Sequence, residues 1–265
     1  MITLKTPQDT AKMRAAGVVV AAMLAECSAA VRPGVTTADL DRIGAAVIER
    51  HGATSSFKGY YGYPATICAS VNEEIVHGIP GSRKLKDGDI ISIDVGAIID
   101  GWHADAAVTV PVGTVSPDAA RLISVTEESL RRGIASARVG KRLGDIGAAV
   151  QQFVEAQGYT VVRNYVGHGI GRAMHEEPQV PNYGPAERGM VIREGLCIAI
   201  EPMVNIGGAA TRVLDDHWTV VTADGSLSAH FEHSIWCTAD GPVVLTAAAG
   251  AVPAQSGAGA RSAHV

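Results

Sequence analysis

Aromatic residues are scarce in this chain, with three Phe, three Trp and six Tyr among 265 residues. A core with so few rings must be packed with aliphatic side chains, so a local concentration of aromatics stands out as a candidate binding surface. Cysteine is also sparse. Cys27, Cys68, Cys197 and Cys237 lie far apart and form no Cys-x-x-Cys pair, which excludes a zinc ribbon and a redox dithiol and leaves reduced thiols as the simpler reading. No long run of one charge sign occurs, and a net charge of −5 argues against a nucleic-acid surface as the main task. No apolar segment followed by a cleavage site opens the chain. The run VVVAAMLAECSAAV at 18–31 reads as too short to span a bilayer. The expectation is a soluble, cytoplasmic protein with no membrane contact.

Hydrophobic residues make up 47% of the sequence, enough for a substantial core without a metal or disulfide to hold it. Thr6-Pro7-Gln8-Asp9 reads as a helix start, with a threonine cap, proline at the first helical position and an acid at the third. That helix is predicted to run to about Val31, before Pro33-Gly34, and a second to run from Thr36-Thr37-Ala38-Asp39 to His51-Gly52. Two more helices are predicted after Ser116-Pro117-Asp118 and after Gly144-Asp145. The second helix of each pair carries Ile-Gly-Ala-Ala-Val, at 43–47 and 146–150, which reads as a two-fold duplication of a helix–helix–sheet unit. The remainder is rich in strand signals, giving an α+β arrangement in which paired helices cover a β-rich centre. The division predicted is one domain over 1–247, with repeats at about 6–112 and 116–247, and a loose, low-complexity tail at 248–265.

Within ISIDVGAIIDGWHADAAVTV, Asp100-Gly101 is a strong two-residue hairpin signal. With these as turn residues, Ile99 pairs with Trp102 and Gly96 with Asp105. Asp94 shares the face of Gly96, because side chains alternate with a period of two. Asp94 and Asp105 then become diagonal neighbours about 7–8 Å apart in backbone. A carboxylate in so apolar a strand is costly unless it is paired or binds a metal. Taken alone, the hairpin leaves two readings open: a metal pair, or a surface Asp105 beside an Asp94 that accepts backbone hydrogen bonds. Glu201 after GLCIAI and Glu232 in AHFEHSIW add two more acids in apolar, strand-like contexts. Four carboxylates with one imidazole suit two adjacent divalent ions.

The imidazole comes from NYVGHGIGRAMHEEP at 164–178, where His168 and His175 lie seven apart among glycines. Asp94, Asp105, His168, Glu201 and Glu232, in the contexts IDVG, HADAA, GHGIGRAMHEEP, IEPMV and FEHSI, resemble the methionine aminopeptidase pattern of peptidase family M24, from about residue 6 to 247. The short interval from Glu201 to Glu232 resembles the type I enzymes, and the chain begins almost at the catalytic domain. The resemblance implies the pita-bread fold, with a pseudo-two-fold repeat and a central antiparallel sheet under paired helices. It implies removal of the N-terminal initiator methionine from nascent chains with a small second residue, by water activated between two divalent ions (Co, Mn, Fe, Zn or Ni). One ion would be held by Asp105, His168, Glu201 and Glu232, and the other by Asp94, Asp105 and Glu232. Glu201 matches the general base, His77 a substrate contact near the scissile bond, and His175 a donor to the carbonyl oxygen and developing oxyanion.

Tyr60, Tyr63, Cys68 and Trp218 map onto the methionine pocket, with His77 at its edge; SFKGYYGYP at 56–64 concentrates aromatics there. The resemblance also implies a monovalent-cation position near Asn72 and Ser228. The partners implied are nascent N-termini at the ribosome, met by a monomer. His103, His217, His230 and His233 match no functional position, although His103 and His233 are within two residues of an implied ligand. Two departures stand out. Met174 replaces the usual phenylalanine before His175, which should loosen shape selectivity. Gly96 replaces the usual threonine, removing a hydroxyl near the ions. The alternative readings are an X-Pro aminopeptidase or prolidase-like hydrolase, and a non-catalytic binding protein on the same fold.

Overall fold

The computed structural model describes residues 2–248; the rest of the tail predicted at 248–265 lies outside the described residues. The first half begins with α1 (Pro7–Ala30) and α2 (Thr37–Arg50), both opened by the predicted threonine caps, with Asp9 and Asp39 closing reciprocal capping boxes. Then come β1 (Thr54–Ser55), a 3-10 turn at Tyr60–Gly62, β2 (Ile67–Val71), β3 (Glu74–Val76), and the hairpin β4 (Ile90–Ile99) and β5 (Trp102–Pro111). The second half repeats the helix pair as α3 (Pro117–Ser136) and α4 (Leu143–Ala156). It continues through β6 (Thr160–Val161), β7 (Gly167–Gly169), β8 (Glu176–Val180), β9 (Cys197–Ile200) and β10 (Met203–Asn205). The last strands are β11 (Thr211–Val213), β12 (Val220–Thr222), β13 (Ser228–His230), β14 (Glu232–Thr238) and β15 (Gly241–Val244). α4 starts at Leu143 rather than after Asp145, because Asp145 is its third residue and caps the backbone N–H of Arg142.

The main sheet runs in the order β1-β4-β5-β14-β9-β7-β8, with β2 also on β4 and β15 on β14. The β4–β5 hairpin has the expected register, Ile99 opposite Trp102 and Gly96 opposite Asp105. Asp100 (φ 51°) and Gly101 (φ 74°) are both left-handed, as a two-residue turn that follows the strand twist requires. Ile91, Ile93, Val95 and Ala97 point outward into a core shared with α1 and α2, which leaves Asp94 and Gly96 on the inner face. A second core, with Ile146, Ile198, Ile200 and Ile235, joins α3 and α4 to β9 and β14. The architecture is the α+β pita-bread type, a curled antiparallel sheet with a helix pair over each half.

α1 is longer than its apolar run suggested. At 24 residues, it is by length and composition apolar enough to cross a membrane. Here Met13, Ala16, Val20, Met23 and Cys27 are fully buried, and the helix lies along β4 and β5 as the main core helix of the first half.

The halves meet where β5 pairs with β14, a ladder of two residue pairs, Glu232 with Ala107 and His233 with Ala106. Hydroxyls extend this short ladder at both ends. The Asp105 N–H donates to Ser234 Oγ (2.9 Å), whose O–H donates to the Asp105 carbonyl (2.8 Å). At the other end, the His230 N–H donates to Thr109 Oγ1 (2.8 Å) and the Thr109 hydroxyl donates to the His230 carbonyl (2.8 Å). Each hydroxyl thus replaces a missing ladder partner, keeping buried backbone groups satisfied while the sheet bends.

Candidate metal centre and substrate cavity

Five neighbouring strands each carry one of the predicted ligand residues toward the inner face. Across the sheet they are Asp94 on β4, Asp105 on β5, Glu232 at the start of β14, Glu201 just after β9, and His168 on β7. Ala107 is opposite Asp94 on one side and Glu232 on the other, so a methyl group is the largest side chain between those acids. Asp105, His168 and Glu232 offer donor atoms within 4.8 Å of one another. His168 Nε2 lies 4.0 Å from Asp105 Oδ2 and 3.6 Å from Glu201 Oε1. His168 Nδ1 is 2.9 Å from the Gly169 carbonyl, a contact that requires Nδ1 to hold the proton and leaves the Nε2 lone pair facing the acids. Glu201 is steadied through its backbone carbonyl, which accepts from Asn182 Nδ2 at 2.9 Å.

The acids are poorly compensated. Asp105 and Glu232 are buried, while Asp94 and Glu201 open onto the cavity. Asp94 Oδ1, Asp105 Oδ1 and Glu232 Oε1 are buried with no hydrogen-bond partner. Among the described residues, the basic side chains within 4.0 Å of the cluster are histidines, which supply no compensating charge when neutral. Burial pushes the Asp94 carboxyl up to about 7. Burial first, and then the charge of neighbouring carboxylates, raises Asp105, Glu201 and Glu232 well above the usual range. Burial also lowers His168 to about 3 and His77 to about 4, so both imidazoles are neutral. Four crowded carboxyls, three of them with unpaired buried oxygens, and a neutral imidazole lone pair form the donor set expected for divalent cations. The residues present fit that group.

The other wall of the cavity is apolar. Phe57, Tyr63, Ala65, Cys68 and Met174 form one cluster, with Tyr60, Ile79 and Trp218 against it. The space enclosed between acids and aromatics is about 250 Å³. That is below the roughly 300–1,000 Å³ typical of pockets for drug-sized ligands, and it suits one side chain and the bond next to it. Tyr63 packs edge-on against Trp218, with ring centroids 5.0 Å apart. Tyr60 Oη is 2.8 Å from His175 Nδ1, and the His175 ring stands 4.2 Å from that of His168. His77 has a left-handed backbone (φ 62°), a strain of about 1–3 kcal/mol for a non-glycine residue, held by its packing near Trp218 and Tyr165. All the predicted pocket residues, Tyr60, Tyr63, Cys68, His77, Met174, His175 and Trp218, line this cavity. Tyr61, from the same aromatic stretch, instead turns outward and is 85% exposed.

Three findings go beyond the sequence reading. A Cβ on Gly96 would lie 2.8 Å from both Ser56 Cβ and Phe57 Cε1, and 3.1 Å from Ser56 Oγ. The room a threonine would need is already filled, and Ser56 brings a buried hydroxyl there, 3.0 Å from His103 Nδ1. The glycines around His168 serve neighbouring strands: side chains at Gly167 and Gly169 would collide with the carbonyls of Ala199 and Glu177. Third, His230, which matches no functional position in the sequence pattern, is buried against Glu201 and Glu232. Its signal was its place two residues before Glu232, on the same side of an extended chain. His233, one residue beyond Glu232, turns away and meets Thr246 Oγ1 at 2.8 Å.

Residues 11–239 match metallopeptidase family M24. The methionine aminopeptidase of Clostridium perfringens is 52% identical over 246 residues, 93% of this chain and 99% of that protein. The crystal structure of methionine aminopeptidase from Thermotoga maritima superposes with a TM-score of 0.91 at 46% identity, covering 93% of this chain and 99% of that one. Prolidase from Pyrococcus furiosus, at 18% identity and a TM-score of 0.76, shares the fold over 92% of this chain and 65% of its own. With the match spanning most of its length and the acid cluster at its centre, the chain belongs to metallopeptidase family M24.

Proposed function

We propose that the protein removes N-terminal methionine from polypeptides by hydrolysing the first peptide bond. The observation that carries this reading is the two-sided cavity: five donors from five neighbouring strands face an apolar recess about one side chain in size. The roughly 50% identity to methionine aminopeptidases supports it. The likeness to prolidase is one of fold alone, so the X-Pro alternative gains nothing from it.

Asp94, Asp105, His168, Glu201 and Glu232 would hold two divalent ions, with Asp105 and Glu232 shared. Divalent cations there supply Lewis acidity, making water nucleophilic near neutral pH and polarising a carbonyl. The chain's own residues do the rest. Tyr63, Cys68, Met174 and Trp218 take the unbranched thioether side chain and exclude water from it. Glu201, open to the cavity, receives the proton of the attacking water and returns it to the leaving amine. With the Tyr60 hydroxyl donating to Nδ1, neutral His175 carries its proton on Nε2 and donates to the carbonyl oxygen as charge develops. His77 contacts the substrate beside the scissile bond. The catalytic unit would span 1–247 as one domain, working as a cytoplasmic monomer on nascent chains at the ribosome. Asn72, left-handed at φ 60° with its carbonyl accepting from the Ser228 N–H at 2.9 Å, suits the monovalent-cation position.

The test is turnover of Met-Ala-Ser and of X-Pro peptides by chelator-stripped protein restored with Co, Mn, Fe, Zn or Ni. Restoration with preference for Met-Ala-Ser is expected. Preferential X-Pro cleavage would overturn the substrate assignment, and failure to bind any divalent ion would favour a binding protein.

A further inference from the structure

His230 remains without a task in the scheme above. Its ring is buried at the end of β13, with 1% of the residue exposed. Its backbone is clamped in both directions by Thr109, whose hydroxyl also meets Ser92 Oγ at 2.8 Å. The direction of the side chain is therefore set by the sheet. Nε2 points at the acid cluster and is buried with no hydrogen-bond partner. It lies 4.0 Å from Glu201 Oε2 and 3.9 Å from Glu232 Oε2.

Those separations exclude hydrogen bonds, which need roughly 2.7–3.2 Å. They suit donors that share a cation, since two ligand atoms each about 2.0–2.2 Å from a metal lie up to roughly 4 Å apart. The same spacing holds on the side of the cluster that carries Asp105 and His168. From Asp105 Oδ2 to His168 Nε2 the step is 4.0 Å, and from His168 Nε2 to Glu201 Oε1 it is 3.6 Å. From Glu201 Oε2 to His230 Nε2 it is 4.0 Å, and from there to Glu232 Oε2 3.9 Å. The arc is nearly symmetrical about Glu201, with an imidazole nitrogen facing each carboxylate oxygen.

We propose that His230 is a cation ligand, its Nε2 coordinating a divalent ion together with Glu201 and Glu232, so that the centre has two imidazoles. This rests on the metallopeptidase reading and adds a donor to it. A buried ring nitrogen otherwise forfeits its hydrogen bond to water with nothing in return. A second nitrogen donor also tilts the site toward Fe, Co, Ni and Zn relative to Mn, because imidazole suits those ions and carboxylate-rich sites suit Mn.

The test is proton NMR in water on the wild-type protein loaded with Co(II), counting exchangeable imidazole N–H signals with the large through-bond contact shift of a coordinated ring, which the uncoordinated His77 and His175 do not carry. Two are expected, and His230→Gln should remove one and leave the other. Calorimetric titration should show His230→Gln and His230→Leu binding Co(II) at least about tenfold more weakly, with a smaller change for Mn(II). A single shifted imidazole signal at saturating Co(II), or an unchanged spectrum in His230→Gln, overturns the proposal and leaves the metallopeptidase reading standing. Failure of the wild-type chain to bind any divalent ion overturns both. The wild-type spectrum decides the matter even if neither variant folds.

Discussion

The two walls of the cavity are built differently. The acid wall stands on paired strands: Asp94, Asp105, Glu232 and His168 are ladder residues, and Glu201 follows one immediately. The aromatic wall is drawn mostly from connections, including a 3-10 turn with Tyr61 at φ 47° between Gly59 and Gly62 at φ 88° and 87°. Donor atoms must converge within tenths of an ångström, which strands tied on both sides can ensure. A methionine side chain is flexible and asks only for a dry space of the right size. Rigid backbone is placed where positions matter, and looser backbone where only volume matters.

Substitutions on each wall should therefore fail in different ways. Glu201→Ala should have the largest effect, lowering kcat by about 10²–10⁴-fold, as loss of a general base does, together with weaker metal uptake; steady-state turnover near the wild-type value would remove it from its role. Trp218→Ala on the opposite wall should raise KM for Met-Ala-Ser by on the order of tenfold, the scale of a lost apolar contact, with kcat much less affected. Peptide kinetics in which kcat fell as far as KM rose would erase the distinction between the walls.

Tyr60→Phe probes the point where the walls touch. Losing one hydrogen bond to His175, about 1 kcal/mol, should slow kcat by roughly fivefold. No change would mean that Tyr60 does not set the proton position on His175. The smallest effect concerns stability. Asp94 has a folded pKa of about 7 against its usual 3.8, so between these values the folded chain holds a proton that the unfolded chain has released. Stability of the metal-free protein is then lost as pH rises through that window. Metal-free Asp94→Asn, which cannot ionise there, should melt above the wild type by on the order of a few degrees, the gap opening from about pH 4 to about pH 7. With metal bound the order should reverse. Calorimetry showing a pH-independent gap would place the charge burden elsewhere.

The walls also differed in how well the sequence revealed them. The β4–β5 register followed to the residue, because Asp-Gly dictates a turn with two left-handed residues and the alternation fixes everything after it. All five predicted ligand residues line one cavity, since carboxylates in apolar strands have few other reasons to be there. His230 escaped because β13 is three residues long and Phe231 separates it from β14, too short a stretch for periodicity to declare a face. The partner of Gly96 escaped for another reason. Ser56 reaches it from a segment forty residues away, and a clash or a replacement hydroxyl across that distance leaves no local pattern.

The short seam between β5 and β14 has a consequence for folding. Asp94 and Asp105 belong to the first half, and His168, Glu201 and Glu232 to the second, so neither half holds the whole predicted donor set. The two hydroxyl clamps, through Thr109 and Ser234, hold the backbone of residues on either side of that boundary. The acid cluster therefore comes into existence only when the halves dock in register, and a chain with one half formed lacks it. In a metallopeptidase built this way, assembly itself acts as the safety catch.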